Sequence, residues 1–279
     1  MTEGGYGLTT DLGIIGGGVM GEALLSRIVS GRLYDPEKIL VSDLSPLRRD
    51  TLREQYGVEV TENNADVASS ASVVLLAVKP QIFSKVSPSL DVSFQGMGSP
   101  PLVLSILAGT SLSTLSLGLG EKVPVVRAMP NTPATVGAGI TAIARGVKVS
   151  DDQFATARKI FEAVGSVVEV PESLMDGVTG VSGSGPAYVA LMVEALADGG
   201  VAAGLPREIA SQLALQTVLG ASQLMAETEL HPAILKDRVS SPGGTTIAGV
   251  AALEENGFRS AIIQAVQAAS QRSQELGTQ

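Results

Sequence analysis

A glycine-rich turn close to the start of the chain constrains the possible fold more than any other feature. Apolar residues 12–15 run into Gly16, and glycines at positions 16, 18 and 21 reproduce the spacing G-x-G-x-x-G before a segment of helical periodicity. The first glycine makes a tight turn, the second lets backbone N–H groups approach a pyrophosphate, and the third lets the helix pack on the strand. The pattern predicts a dinucleotide-binding turn, and the alternative is a tight turn that binds no ligand.

Apolar strands alternate with helices as far as about residue 170. Residues 38–43 form a second predicted strand, which ends in Asp43 at about the 20-residue spacing where an acid meets the adenosine ribose of a dinucleotide. The runs 71–78 and 102–107 are almost wholly apolar, as strands buried on both faces of a parallel sheet are. The fold class is therefore α/β, with an N-terminal Rossmann-type, doubly wound, mostly parallel sheet.

Beyond Pro171 the pattern predicts helices alone. Segment 186–203 is apolar on nearly all sides, and segment 206–228 is a long helix with many small residues. A helix that is apolar all round must be buried, and a region of this size buries it most easily against a second copy of the chain. We expect a dinucleotide-binding domain at residues 1–170 and an all-helical domain at residues 171–279.

Composition argues against several classes of function. The chain has no cysteine, which removes disulfides and thiolate chemistry and fits a reducing compartment. Its one histidine, His231, precedes a proline and is read as a helix cap or a surface residue, so no metal site is expected. The net charge of −9 argues against nucleic acid and anionic membranes as partners. No membrane span is predicted, and residues 1–10 are read as a short arm rather than a signal peptide, so we expect a cytoplasmic protein.

Several polar or glycine-rich segments follow strands or precede helices. Lys79 closes an apolar strand and is either a solvated end or a residue that faces a ligand. Asn63 and Asn64 are read from the pattern alone as turn residues. Segments 181–186 and 240–246 place hydroxyls and glycines directly before helices, as anion-binding helix N-termini do, although Ser or Thr there could simply be a cap.

Residues 237–249 closely resemble the signature of the pyrroline-5-carboxylate reductases, which perform the last step of proline synthesis. The loop at 240–246, Ser-Ser-Pro-Gly-Gly-Thr-Thr, is highly specific to that family, whereas the glycine pattern is not. Further family motifs occur in the same order at residues 13–24, 77–80, 125–132, 178–188 and 257–259. The resemblance spans residues 12–276. It implies an oxidoreductase that transfers hydride from NAD(P)H to the C=N bond of 1-pyrroline-5-carboxylate, giving L-proline.

The resemblance also implies an assembly and a set of site residues. The helical domain would bind the small-molecule substrate and form an intertwined homodimer, which in many members assembles into a decamer of five dimers. The cofactor, NADP or NAD, would lie along Gly16, Gly18, Val19, Met20, Gly21, Ser42, Asp43, Asn64, Ala77, Val78, Lys79 and Pro80. The substrate would be bound by Ser241, Gly243, Gly244, Thr245 and Thr246, with the carboxylate on backbone N–H groups. The residues implied as catalytic are Thr246, whose hydroxyl would face the ring nitrogen, Ser241, and Lys79 paired with Glu229.

The choice between NADH and NADPH stays open. At Asp43 and Leu44 the sequence departs from many NADPH-preferring members, which often carry polar or basic residues there. Asp43 would repel a 2′-phosphate and accept a hydrogen bond from a 2′-hydroxyl. The residues that could instead hold the phosphate are Ser42, Ser45, Arg48 and Arg49. We expect both cofactors to work.

Two alternative functions are also compatible with the dinucleotide-binding pattern. One is a related two-domain reductase of another imine or of a β-hydroxyacid, against which the loop at 240–246 argues. The other is a non-catalytic NAD(P)-binding scaffold, against which the retention of Thr246, Ser241 and Lys79 argues.

Overall fold

Strands and helices alternate along most of the chain, and the last part is helical. The computed structural model describes residues 10–277, so the arm predicted at residues 1–10 lies outside the described residues except for Thr10. Contacts divide the chain into two units, of which the first holds residues 10–183 and 269–277 and the second holds residues 184–268.

The first unit contains the sheet and the helices that connect its strands. Its strands are β1 (Thr10–Ile15), β2 (Ile39–Ser42), β3 (Glu59–Thr61), β4 (Ala71–Leu76), β5 (Leu102–Ser105), β6 (Val125–Met129), β7 (Gly139–Arg145) and β8 (Gly165–Glu169). Its helices are α1 (Val19–Ser30), α2 (Pro46–Tyr56), α3 (Asn64–Ser70), α4 (Phe83–Gln95), α5 (Leu112–Leu119), α6 (Asp151–Glu162) and α7 (Met175–Val178), with the end of α12 (Phe258–Gly277).

The strand order is β3-β2-β1-β4-β5-β6-β7-β8, and the predicted doubly wound, mostly parallel sheet is confirmed. Strands β1 to β6 are parallel, whereas β7 runs antiparallel to β6 because a short connection, without a crossover helix, joins them. The order reverses at β1, where the register places Ile15 beside both Ser42 and Leu76. Ligands of open α/β sheets bind at such a reversal, outside the carboxyl ends of the strands.

Apolar layers cover both faces of the central strands. Leu12 and Ile14 of β1 belong to one cluster, and Ile15 belongs to the other. At Gly13 a methyl group would lie 2.4 Å from Val67 Cγ1, because α3 packs directly on the strand. The interpretation of Asn63 as a turn residue is confirmed, because its Oδ1 accepts the Ala65 N–H at 3.1 Å in an Asx turn that also caps α3, whereas Asn64 is the first residue of that helix.

The two units do not divide where the strands end. Helices alone follow β8, as predicted, but the division by contacts falls between Gly183 and Ser184. The end of α12, from residue 269 on, also belongs to the first unit. There Ser273 Oγ donates to Asp176 Oδ1 at 2.6 Å. The domain boundary at residues 170 and 171 stays a prediction.

The second unit is built from long helices with small residues at their contact. Its helices are α8 (Gly185–Ala202), α9 (Arg207–Thr228), α10 (Pro232–Arg238), α11 (Thr245–Glu255) and the larger part of α12. Helices α8 and α9 pack through Ala197, Ala210 and Ala214, which are the buried apolar residues among those described in this unit. Large apolar side chains remain exposed, among them Leu191 at 66% and Leu219 at 55%. Such a surface indicates a region that another molecule covers.

No helix in the part of the chain that the structure describes is both long and apolar enough to cross a membrane.

Thr141 of β7 carries a buried hydroxyl that finds no hydrogen-bond partner among residues 10–277. An unpaired buried hydroxyl costs stability, and valine has the same branched shape without it. We expect Thr141→Val to raise the free energy of unfolding by about 1 kcal/mol. Ser273→Ala is the control, because it removes a paired hydroxyl and should lower stability. Calorimetric melting checks both variants, and an equal loss in both would show that the Thr141 hydroxyl is paired.

Candidate active site

The glycine turn is held against the end of β4 by close backbone contacts. Gly16 has φ +102°, in the region that favours glycine, and a methyl group there would lie 2.8 Å from the carbonyl oxygen of Ala77. At Gly21 a methyl group would lie 2.2 Å from the carbonyl oxygen of Gly16. Both positions therefore need glycine for packing, as the spacing predicted.

Gly18 differs from these two glycines because its surroundings are open. No heavy atom of the described residues, apart from its immediate neighbours, would lie within 4 Å of a methyl group there. Helix α1 begins at the next residue, and among residues 10–277 no side chain caps it. The first-turn N–H groups, which include those of Val19 and Met20, are thus available to an anion. This open cradle fits the pyrophosphate of a dinucleotide.

The ends of β2 and α3 lie beside the glycine turn. The Asp43 carboxylate accepts the N–H of Gly17 and the N–H of Ser45, each at 2.9 Å. Ser42 Oγ donates to Asn64 Oδ1 at 2.7 Å, which joins the end of β2 to the start of α3. Asp43 therefore stands where an acid meets the ribose in Rossmann folds.

The segment that follows β4 completes this edge of the sheet. Ala77 N–H donates to the carbonyl oxygen of Ile15 at 2.8 Å, and Lys79 beyond it is exposed. Pro80 begins a short 3-10 helix. The structure thus brings all the predicted cofactor-binding residues to the carboxyl ends of β1, β2, β3 and β4, although their roles stay predictions.

Sequence analysis missed a network that borders this edge. The Arg48 guanidinium donates to the carbonyl oxygen of Gly17 and to the carboxylate of Glu22. Tyr56 Oη donates to the other Glu22 oxygen at 2.9 Å. Burial, and then the hydrogen bond to Glu22, raise the pKa of Tyr56 above its ordinary value, so the phenol keeps its proton. The only signal for this network in the sequence is weak: an acidic residue, Glu22, in the first turn of the helix after the glycine turn.

In the second unit, the loop at 240–246 forms a turn that leads into α11. The Ser241 carbonyl oxygen accepts the Gly244 N–H at 3.0 Å, with Pro242 and Gly243 between them. Gly243 has φ +64°, and this arrangement is that of a type II turn. A methyl group on Gly244 would lie 2.4 Å from Ser241 Oγ, so the serine hydroxyl occupies the space that a side chain would fill.

The N-terminus of α11 is free behind this turn. Among the described residues no side chain caps the helix at Gly244. The alternative that Ser or Thr of this loop caps α11 is therefore wrong for residues 10–277. Thr245 is exposed and Thr246 is half-buried. Free N–H groups at the start of an 11-residue helix fit a carboxylate, which is the ligand that the resemblance implies.

The prediction of a second loop, at residues 181–186, is wrong because most of this segment is helical. Thr179–Gly183 is a π-helix, and Ser184 has helical dihedral angles. The carbonyl oxygen of Ser182 accepts from Asn131 Nδ2 at 3.2 Å, and Asn131 Oδ1 accepts the Ile140 N–H at 2.9 Å. Asn131 is buried, so its amide holds the end of β6 in place.

The remaining candidate residues are spread over both units. Lys79 belongs to the first unit and Glu229 to the second, and their pairing stays a prediction. Glu229 ends α9 in the left-handed region, with φ +53°. His231 caps α10 through Nδ1, which accepts the Ala233 N–H at 3.2 Å, so its interpretation as a cap is confirmed. Within residues 10–277, no three side chains of His, Asp or Glu lie together as ligands for a metal ion.

Two protein families match separate parts of the chain. Residues 172–276 match the family described as pyrroline-5-carboxylate reductase dimerisation. Residues 11–109 match the family described as NADP oxidoreductase, coenzyme F420-dependent.

Individual relatives match over nearly their whole length. A pyrroline-5-carboxylate reductase from Synechocystis is 61% identical over 270 residues, which are 97% of this chain and 99% of the relative. The structure of a pyrroline-5-carboxylate reductase from Coxiella burnetii superposes with a TM-score of 0.90 at 38% identity, covering 96% of this chain and 98% of that one. The structure of the Plasmodium falciparum pyrroline carboxylate reductase with NADP bound superposes with a TM-score of 0.86 at 31% identity, covering 97% of this chain and 99% of that one.

Alanine substitutions at Gly18 and Gly21 distinguish a role in binding the dinucleotide from a role in packing the helix on the strand. Gly21→Ala should lower the melting temperature by about 4 °C or more, because the methyl group collides with backbone. Gly18→Ala should leave the melting temperature within about 1 °C and weaken the binding of NADH and NADPH about tenfold, since its methyl group enters only the open cradle. Melting curves and fluorescence titrations check the pair. Unchanged affinity in Gly18→Ala would place the dinucleotide elsewhere.

Proposed function

Because this chain belongs to the pyrroline-5-carboxylate reductase family, we propose that it performs the reaction by positioning its reactants, without a strong general acid. The chain is an NAD(P)-dependent oxidoreductase that reduces 1-pyrroline-5-carboxylate to L-proline, the last step of proline biosynthesis. The proposal concerns which residues carry the reaction and how the chains assemble.

The reaction does not require a strong general acid. Reduction of a C=N bond needs a hydride at carbon and a proton on nitrogen, and a protonated imine is already an electrophile. When bound, NAD(P)H supplies the hydride. The residues of the chain must then bind both molecules in an orientation that favours reaction. This agrees with a chain that has no cysteine and whose one histidine, His231, caps a helix.

The nucleotide is assigned to the edge of the sheet around β1. The open space at Gly18 and the uncapped start of α1 support pyrophosphate binding there. Asp43 is assigned to the ribose, and its orientation by the Gly17 and Ser45 N–H groups supports this role. The remaining members of the proposed cofactor set are Gly16, Val19, Met20, Gly21, Ser42, Asn64, Ala77, Val78, Lys79 and Pro80.

The substrate is assigned to the turn before α11, and this turn is the observation that carries the proposal. Its type II geometry, with Gly243 in the left-handed region and Gly244 packed under Ser241 Oγ, leaves the first N–H groups of the helix free for a carboxylate. Thr246 is half-buried one residue into the helix. We assign its hydroxyl to the ring nitrogen, which it would hold as the amine forms. Lys79, Ser241 and Glu229 are the further residues that we assign to catalysis, as the family resemblance implies.

Thr246→Val tests this role, because valine keeps the shape and removes the hydroxyl. We expect kcat/KM to fall by about 10- to 1,000-fold, or about 1.4–4 kcal/mol of transition-state stabilisation, with cofactor affinity almost unchanged. Oxidation of NADH and of NADPH with pyrroline-5-carboxylate measures it, and the unmodified protein should turn over both.

His231→Gln is the matched control for that measurement. It should keep most of the activity, because the histidine side chain serves as a cap. Normal turnover by Thr246→Val together with an inactive His231→Gln would mean that the enzyme uses a general acid, contrary to this mechanism.

The protein is a homo-oligomer, since its helical part matches a dimerisation family. We propose an intertwined homodimer with at least about 2,000 Å² buried, and a ring of five dimers as the larger assembly. The exposed apolar side chains on the side of α9 that faces away from α8 support this. Ala210 packs on α8, and Leu219 lies about two and a half turns further along α9, on its opposite side, 55% exposed.

Leu219→Arg tests whether a second chain covers this side of α9. The unmodified protein should scatter light as a dimer or a multiple of it at micromolar concentration, and the variant should shift towards the monomer because a charge enters an apolar interface. Val147→Arg is the control, since Val147 is 99% exposed in the first unit and should tolerate the same change. A monomeric unmodified protein would contradict the proposal.

The setting that we propose is the cytoplasm, where the cysteine-free composition fits a reducing compartment. Cell fractionation with an antibody against the protein tests it.

A further inference from the structure

We propose that Glu22 determines the cofactor preference of this chain, because it keeps Arg48 from binding the 2′-phosphate of NADPH. The inference rests on the proposed cofactor site, in which Asp43 meets the ribose. In that site an arginine near the ribose is the usual means of accommodating a 2′-phosphate. Arg48 contacts the glycine turn, since its Cγ would lie 3.6 Å from a methyl group on Gly17.

Two of the five N–H donors of Arg48 are already engaged. Nε donates to the carbonyl oxygen of Gly17, and one terminal nitrogen donates to Glu22. The two side chains are 27% and 26% exposed, so water screens the pair only partly. Tyr56 Oη holds the second oxygen of Glu22 at 2.9 Å, which fixes the carboxylate in position. One of the two guanidinium edges that can bind a phosphate with two hydrogen bonds, the edge formed by Nε and this terminal nitrogen, is therefore occupied. Glu22 also compensates the charge of the guanidinium and fixes its orientation.

Arg49, the second arginine of the pair at the start of α2, is engaged as well. One of its terminal nitrogens donates to the carbonyl oxygens of Asp43 and Leu44, at 2.7 and 3.1 Å. The other lies 3.4 Å from a carboxylate oxygen of Glu62. Its side chain is mostly buried, and these bonds hold the backbone that follows β2.

The charges around the ribose position favour a nucleotide without a 2′-phosphate. Two guanidinium groups, of Arg48 and Arg49, meet three carboxylates, of Asp43, Glu22 and Glu62, which leaves one net negative charge. A 2′-hydroxyl can donate to the lone pairs that Asp43 keeps, whereas a 2′-phosphate adds further negative charge to this cluster.

Glu22 can be tested apart from the ribose ligand. Removing Asp43 would also remove the group that binds the ribose. Glu22 lies in the first turn of α1 and acts through Arg48, so its neutralisation frees the arginine and leaves Asp43 in place. Its charge also lies near the pyrophosphate cradle, so its removal strengthens binding of both cofactors somewhat. The discriminating quantity is therefore the ratio of the two affinities.

The experiment is calorimetric titration of Glu22→Gln with NADH, NADPH, ADP and 2′,5′-ADP. The ratio of Kd for NADH to Kd for NADPH should rise about tenfold, and the ratio for ADP and 2′,5′-ADP should follow, since a freed arginine gains a charge-assisted bond to phosphate. Glutamine can still accept from Tyr56, so the fold should persist. Glu22→Ala, which removes the acceptor as well, should shift both ratios in the same direction.

Two further variants show whether the effect passes through Arg48. Glu62→Gln is the matched control, because it removes the same charge from the same cluster but leaves Arg48 paired, and it should change the ratios less than about threefold. The double variant Glu22→Gln with Arg48→Ala should return the ratios to those of the unmodified protein.

Unchanged ratios in both Glu22 variants, with normal binding of NADH, would overturn the inference and leave the proposed cofactor site intact. An equal shift in Glu62→Gln would also overturn it, since net charge rather than Arg48 would then be responsible. Absence of any binding of NADH, NADPH and ADP to the unmodified protein would overturn the cofactor site itself, and the inference with it.

Discussion

At two positions of its glycine turn, the backbone lies so close to its neighbours that no side chain fits. Gly16 packs against the carbonyl group of Ala77, and Gly21 packs against the carbonyl group of Gly16. These contacts join β1, α1 and β4 without any intervening side chain. They point the uncapped start of α1 at the edge where the strand order reverses. The contacts of Asp43 and Ala77 with this turn depend on that arrangement.

The proposed mechanism uses two uncapped helix N-termini, one in each unit. The first follows Gly18 and suits the pyrophosphate of the cofactor, and the second follows Gly244 and suits the carboxylate of the substrate. At Gly244 the Ser241 hydroxyl occupies the space of a side chain, whereas the space at Gly18 is open, so that a ligand can approach the backbone there. An enzyme that binds two anions through backbone N–H groups can orient both reactants without many charged side chains, which agrees with a charged fraction of 17%.

The two units differ in how they bury apolar surface. The sheet of the first unit has an apolar layer on each face, built from large side chains. The second unit joins α8 to α9 through three alanines and leaves side chains such as Leu191 and Leu219 exposed. Small residues bring helices close but bury little area, so a unit of this kind gains much of its hydrophobic stabilisation from another chain. This agrees with the match of the helical part to a dimerisation family.

Local signals allowed the sequence alone to determine the Rossmann sheet, the helical second part, the cap at His231 and the family. Glycine spacing, apolar runs and the loop at 240–246 each act within a few residues, where steric rules and periodicity are strong. Tertiary structure decided the antiparallel course of β7, the helix α3 over Gly13, the π-helix at Thr179–Gly183 and the pairing of Arg48 with Glu22. The packing of α3 on Gly13, the bond from Asn131 to Ser182 of the π-helix and the pairing of Arg48 with Glu22 join residues far apart in the chain, and no local pattern encodes such contacts. The course of β7 follows from its short connection to β6, but the sequence pattern does not give the direction of the strand.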